Sequence, residues 1–316
     1  MINTLQPEEV SAYHHFSRQQ WQQFNTATLP YFSEQDLDRL SGVNEEVSRQ
    51  EILDVYMPLA CLLRLYIEHS AFLHGQTERF LQASMPKVPF EIGVAGSVAS
   101  GKSTTSRILM QLLSELTTLS VQLVGTDGFL LPNAVLENRG LMERKGFPES
   151  YDLPALLQFL SALKSGQTDL SVPVYSHHQY DIVKDQVQAI GQVDVLIVEG
   201  LNILQTGASS VASQRVFVSD FLDFTVFVDA SVQALRQWYL DRVLAFLRGP
   251  MQEPTAYFHH LTLLTEQEVM EYADQVWRDI NEKNLFSNIL PFRFRSDCIL
   301  QKEQDHAVAN ILLRKL

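Results

Sequence analysis

Apolar and polar positions along the chain change period several times. Residues 90–95 (Phe-Glu-Ile-Gly-Val-Ala) are short and mostly apolar, as a buried strand is. In residues 104–116, Ile108, Leu109, Leu112, Leu113 and Leu116 recur at helical spacing, which predicts a helix with one face on a sheet. Further buried strands are expected at 121–125, 193–198 and 224–228, each ending in an acidic or glycine-rich turn and followed by a helix or a long loop. Repeated strand-then-helix order predicts an α/β fold of three layers, α/β/α, around a mostly parallel sheet. Residues 1–85 mix polar and apolar positions with few strand-like runs and read as a mostly helical extension. Helix starts are expected at 30–36 and 41–46, with Ser33 and Asn44 as caps. Pro86 and Pro89 close the extension, and no composition shift marks a second domain, so 1–316 reads as one domain.

The junction of the first strand and helix carries the strongest chemical signal. Gly96-Ser97-Val98-Ala99-Ser100-Gly101-Lys102-Ser103, followed by Thr104, fits G-x-x-x-x-G-K-[ST], the phosphate-binding loop of nucleotide-using proteins. Its backbone N–H groups form an anion-binding concavity, Lys102 reaches the outer phosphates, and the Ser103 hydroxyl suits a magnesium ion. In such sheets ligands bind at the carboxyl ends of strands, where Asp127, Glu199 and Asp229 fall. Asp127, in Gly125-Thr126-Asp127-Gly128-Phe129, fits either a turn aspartate or a carboxylate that accepts or orients a hydroxyl proton. Glu199 fits a magnesium role or a strand-end hydrogen bond. On a predicted helix over 231–247, with Ser231 as N-cap, Tyr239, Arg242 and Phe246 share one face. By pattern alone Arg242 reads as a solvated arginine whose stem covers the tyrosine. Gly249, Pro250 and Pro254 with Tyr257-Phe258-His259-His260 suggest a mobile lid over 249–265.

Composition narrows the function classes. A net charge of −13 over 316 residues argues against a nucleic-acid or membrane-surface binder. Two cysteines, Cys61 and Cys298, make neither a disulfide framework nor a metal-ligand spacing. The paired histidines (14–15, 177–178, 259–260) point in different directions within each pair and make no metal site. The first ten residues lack a basic start and an apolar core, Arg64 interrupts the apolar stretch 59–67, and no apolar run reaches the ~18 residues of a membrane span. A cytoplasmic protein is expected.

Several stretches together resemble one family. Gly96 to Thr104, Thr126-Asp127-Gly128-Phe129, Arg139-Gly140-Leu141-Met142, Lys145-Gly146-Phe147-Pro148-Glu149-Ser150-Tyr151-Asp152, Pro173-Val174-Tyr175-Ser176-His177, Glu199-Gly200-Leu201-Asn202 and Phe217-Val218-Ser219-Asp220-Phe221 are similar to the bacterial type I pantothenate kinases. These are P-loop kinases related to uridine kinase and phosphoribulokinase. The resemblance implies a P-loop kinase fold and ATP- and Mg2+-dependent phosphorylation of pantothenate. It also implies inhibition by coenzyme A at the same loop and a homodimer, with the helix after the loop as a candidate contact. By matching position it makes Asp127 the base or orienting carboxylate, and it sets Lys102 and Arg242 on the phosphates, against the pattern reading of Arg242. Tyr175, His177, Tyr239 and Asn281 would hold pantothenate, and Phe246, Tyr257 and Phe258 would cover its tail. Asn44, Lys302 and His306 fall near the adenine nucleotide, and Lys102 and Arg107 meet the coenzyme A phosphates. Val243 and Leu261 stand where aromatic residues are expected, giving a less aromatic cover.

Overall fold

The computed structural model describes residues 11–27, 33–42, 47–206 and 216–316. Among these, nine strands form two sheets: β1 (Tyr13–Ser17), β2 (Phe90–Gly96), β3 (Val121–Gly125), β4 (Leu170–Ser176), β5 (Asp181–Ile190), β6 (Val195–Gly200), β7 (Phe224–Ala230), β8 (Cys298–Lys302) and β9 (Val308–Arg314). The large sheet has the order β1-β9-β8-β7-β2-β6-β3, and β4 pairs with β5 as a separate hairpin. From β3 to β8 all neighbours are parallel, and β9 and β1 extend that edge antiparallel.

Period-2 alternation sends each strand's side chains into two cores, one per face. Phe90, Ile92, Val94, Val195, Ile197, Phe224, Val226 and Val228 face one side, where helices α2 (Met57–Leu81) and α3 (Lys102–Leu116) cover them. Ala95, Leu196, Val198 and Phe227 face the other, under α4 (Leu153–Lys164) and α5 (Val232–Arg248). The expected three-layer architecture is therefore present. The phosphate-loop strand β2 sits centrally between β6 and β7, so the loop opens beside the ends of both.

The described part of residues 1–85 is mostly helical, as expected, with one strand added. The N-terminal region is not helical throughout: β1 completes the sheet edge against β9, with Tyr13 Oη donating to the Ser296 carbonyl at 2.5 Å. Ser33 does cap a helix, α1 (Glu34–Leu40), through a capping box with Asp36, and Ser41 ends that helix; residues 43–46 of the second expected helix start lie outside the described residues. Asn44 lies outside the described residues. The helix after the loop packs one face on the sheet, as its period predicts. Its Ile108, Leu109, Leu112 and Leu113 are fully buried against the sheet and Tyr56, Leu59 and Leu63 of the N-terminal segment. One group of exposed apolar residues lies on α2, where Leu65, Phe72, Leu73 and Phe80 fall on one face. Both cysteines are free and buried.

Candidate active site

The phosphate loop is shaped by its glycines. Gly96 has φ +153° and a Cβ there would lie 2.7 Å from both Ser100 Oγ and the Val228 carbonyl; Gly101 has φ +93°. Gly101 is also the N-cap of α3 and offers no side chain to cap it, so the first-turn N–H groups remain available to an anion. Ala99 is held at φ +61°, a constrained value for a residue with a Cβ. The hydroxyls of Ser97 and Ser100 are buried with no hydrogen-bond partner among the described residues. Orphaned donors next to bare N–H groups suit a phosphate chain.

Lys102 is buried at the loop, donating to the Ser97 carbonyl at 2.7 Å. Burial pushes its pKa down, and the nearby carboxylates Glu199 and Asp127 oppose that shift. The β2–β6 register carries Glu199 to the loop, and Ser103 Oγ donates to Glu199 Oε1 at 2.6 Å. Burial raises the Glu199 pKa, and Lys102 and Ser103 counter it.

Asp127 stands on the 3-10 turn Thr126–Phe129 directly after β3. Gly128 lets this turn press on the hairpin, since a Cβ there would lie 2.3 Å from the Pro173 carbonyl. The charge of Asp127 acts on Lys102, Tyr175, His177 and Arg242, four residues that the sequence assigned to one site from three separate segments. Arg242 is not the solvated arginine of the pattern reading. Burial lowers its pKa, Asp127 and Glu199 hold it up, and its guanidinium lies 5.1 Å from the Phe246 ring centre. Tyr239, on the same α5 face, packs against Trp277 at 5.6 Å and hydrogen-bonds Asn281. Asn281 ends a π-helical turn, Trp277–Asn281, a distortion common at functional sites.

An aromatic wall closes the other side. Tyr175 meets His177 at 5.2 Å, and Tyr180 contacts Tyr257 at 5.2 Å and Phe258 at 4.8 Å. Residues 249–265 are thus seated on the hairpin, fixed also by the Tyr257 N–H on the His178 carbonyl at 3.0 Å. His177 and His178 do diverge, the latter bonding Thr255 at 2.9 Å. Phe246 and Phe258 pack on a small core with Leu261 and Val243, so the two departures from the aromatic pattern lie within this cover.

On the nucleotide side, Lys302 ends β8 and its Nζ lies 3.4 Å from the Ser100 carbonyl. The His306 ring stacks on Trp238 at 4.1 Å. Arg107 is engaged with the carbonyls of Leu40 and Ser41, at 2.9 and 3.0 Å. Asp229 does not face the loop chemistry; it pairs with Arg293 at 3.4 Å.

Sequence reasoning missed Lys145 and Tyr180. Lys145 donates to Asn133 Oδ1 at 2.6 Å and to the Tyr180 carbonyl, and its ammonium lies 3.9 Å from the Tyr180 ring centre. Burial lowers its pKa to about 8, against the pull of Asp181 and Asp127. Lys145 opens the KGFPESYD stretch, which was the available signal; Tyr180 had none.

Residues 91–249 match the phosphoribulokinase/uridine kinase family. The chain is 50% identical over 317 residues to a pantothenate kinase of Coxiella burnetii, covering 99% of this chain and all of that one. A pantothenate kinase of Vibrio vulnificus is 48% identical over 308 residues, covering 97% of this chain and all of its own. Among solved structures, D-glycerate 3-kinase from Cryptococcus neoformans aligns with a TM-score of 0.51 at 15% identity, covering 79% of this chain and 97% of its own, which speaks for the fold alone. With a glycine-lined phosphate loop on the central strand, acids at the neighbouring strand ends and 48–50% identity over nearly the full length, this chain is a P-loop kinase of the phosphoribulokinase/uridine kinase family and belongs to its pantothenate kinases.

Proposed function

We propose that this enzyme transfers the γ-phosphoryl group of ATP to the terminal hydroxyl of pantothenate, giving 4′-phosphopantothenate, the entry step of coenzyme A synthesis. One observation carries the reading: Asp127 shares an electrostatic site with the loop lysine, Arg242 and the hairpin residues Tyr175 and His177. A carboxylate between a phosphate loop and a polar wall suits an acceptor alcohol better than water alone.

The loop from Gly96 to Thr104 holds the phosphates, and Lys102 and Arg242 neutralise charge on the transferring group. Asp127 takes or orients the hydroxyl proton as attack proceeds. Tyr175, His177, Tyr239 and Asn281 bind the polar groups of pantothenate, and Phe246, Tyr257 and Phe258 cover its tail. Lys302 and His306 border the adenine side. Ser103 and Glu199 would hold Mg2+, which when bound neutralises phosphate charge. The described residues include no cluster of three or more His, Cys, Asp or Glu suited to a metal.

Coenzyme A would compete with ATP, because one set of N–H donors accepts either phosphate chain. The apolar face of α2 supports a homodimer built there. No helix among the described residues is long and apolar enough to cross a membrane. A coupled assay of ADP release tests the reading against its rivals. Release with pantothenate is expected; release with uridine instead would make this a nucleoside kinase, and release independent of any acceptor would make it a nucleotide-hydrolysing switch.

A further inference from the structure

Tyr151 touches the reacting carboxylate without belonging to any of the pattern-derived assignments. It follows the 3-10 turn Pro148–Ser150, in a segment stitched to the chain just beyond Asp127. The Leu131 N–H donates to the Ser150 carbonyl at 2.8 Å, the Asp152 N–H donates to the Phe129 carbonyl at 2.7 Å, and Leu130 and Tyr151 form an antiparallel bridge. These backbone bonds fix the phenol relative to the Asp127 turn. From there Tyr151 Oη donates to Asp127 Oδ1 at 3.4 Å. That is long for an O–H···O bond, as catalytic hydrogen bonds often are before substrate arrives and tightens them.

Two further observations define what this phenol can do. Tyr151 also lines a half-open, mostly apolar cavity of about 50 Å3 with Pro148, Leu156 and Ile203, where Thr126, Asn202 and Gln205 supply the polar part. An O–H bond to a carboxylate is stronger with such a low-dielectric backing than in water. Burial and the charge of Asp127 both push the phenol's pKa up, so it stays protonated and can donate to the carboxylate.

We propose that Tyr151 is a positioning residue for phosphoryl transfer: by donating to Oδ1 it fixes the Asp127 carboxylate and turns Oδ2 to the acceptor hydroxyl. This rests on the transfer reading above. Tyr151→Phe keeps the ring and removes the donor. Measured on the full chain, with and without Asp127→Asn, it is expected to lower kcat roughly ten- to hundred-fold, the equivalent of one hydrogen bond to a charged group. The KM for ATP should stay within about two-fold, because the loop is untouched. The KM for pantothenate should likewise stay within about two-fold, so that the loss falls on kcat, as it does when an interaction made in the transition state is removed. In the Asp127→Asn background the second substitution should cost little more. An unchanged kcat would overturn the proposal, as would a loss carried by KM or one that multiplies fully with Asp127→Asn. Should the phenylalanine variant fail to fold, 3-fluorotyrosine at position 151 gives a more acidic donor in the same ring. Turnover should then differ from that of the wild type, and an unchanged kcat overturns the proposal. Turnover of the wild type with pantothenate is the separate measure of the reaction itself, so a failed reaction and a failed role for Tyr151 are told apart.

Discussion

Glu91 is the second residue of β2, the strand that delivers the phosphate loop, and it is fully buried. Neither carboxyl oxygen has a hydrogen-bond partner among the described residues. Lys164 Nζ stands 3.7 Å from Oε1, an ion-pair distance, but the same ammonium also binds Asp223, whose own charge repels Glu91. Desolvation therefore dominates and raises the Glu91 pKa from 4.5 to about 8, with Lys164 opposing. Between those two pH values the folded protein keeps a proton that the unfolded chain has released, so stability falls as pH rises through that window. At about 1.4 kcal/mol per pH decade, the effect is capped at roughly 5 kcal/mol, of which about 3 kcal/mol falls between pH 5.5 and 8.5. Glu91→Gln imitates the protonated acid and removes the dependence. Urea unfolding of both proteins at the two pH values isolates this group, because all other titrations cancel in the difference. Wild type should lose about 3 kcal/mol more than the variant on going to pH 8.5. Parallel losses, or a variant less stable than wild type at pH 8.5, would refute the reasoning.

Three other outcomes are expected. Asp127→Asn should keep ATP affinity, read by calorimetry, while turnover falls roughly 10²–10⁴-fold; normal turnover removes this residue from the chemistry. Lys102→Met should weaken both ATP and coenzyme A binding, and undiminished inhibition by coenzyme A would separate the two sites. Phe72→Glu places a charge in the middle of the exposed α2 face and should convert a dimer to monomers in sedimentation velocity, whereas an unaltered dimer would move the interface elsewhere.

The central strands were legible because both of their faces are buried, which writes near-continuous apolar runs into the sequence. The glycine loop was legible because a phosphate cradle requires specific residues at fixed spacing. The β4–β5 hairpin was not, because most of β5 is exposed and carries no apolar period. β1 was missed for a related reason: an edge strand of five residues, with only Tyr13 fully buried, looks like a polar helix. Arg242 shows where local pattern fails. A stripe on a helix says which residues share a face but not what lies opposite, and here Asp127 and Glu199 arrive from distant strands. Lys145 and Tyr151 act through contacts across the fold, and spacing along the chain does not encode those.

The most direct test of the account is a crystal structure with a non-hydrolysable ATP analogue and pantothenate bound together. The account predicts the triphosphate on the amides of residues 96–103, with its terminal group between Lys102 and Arg242 and the acceptor alcohol within hydrogen-bond reach of Asp127. A ternary complex in which that carboxylate points away from the alcohol would contradict it.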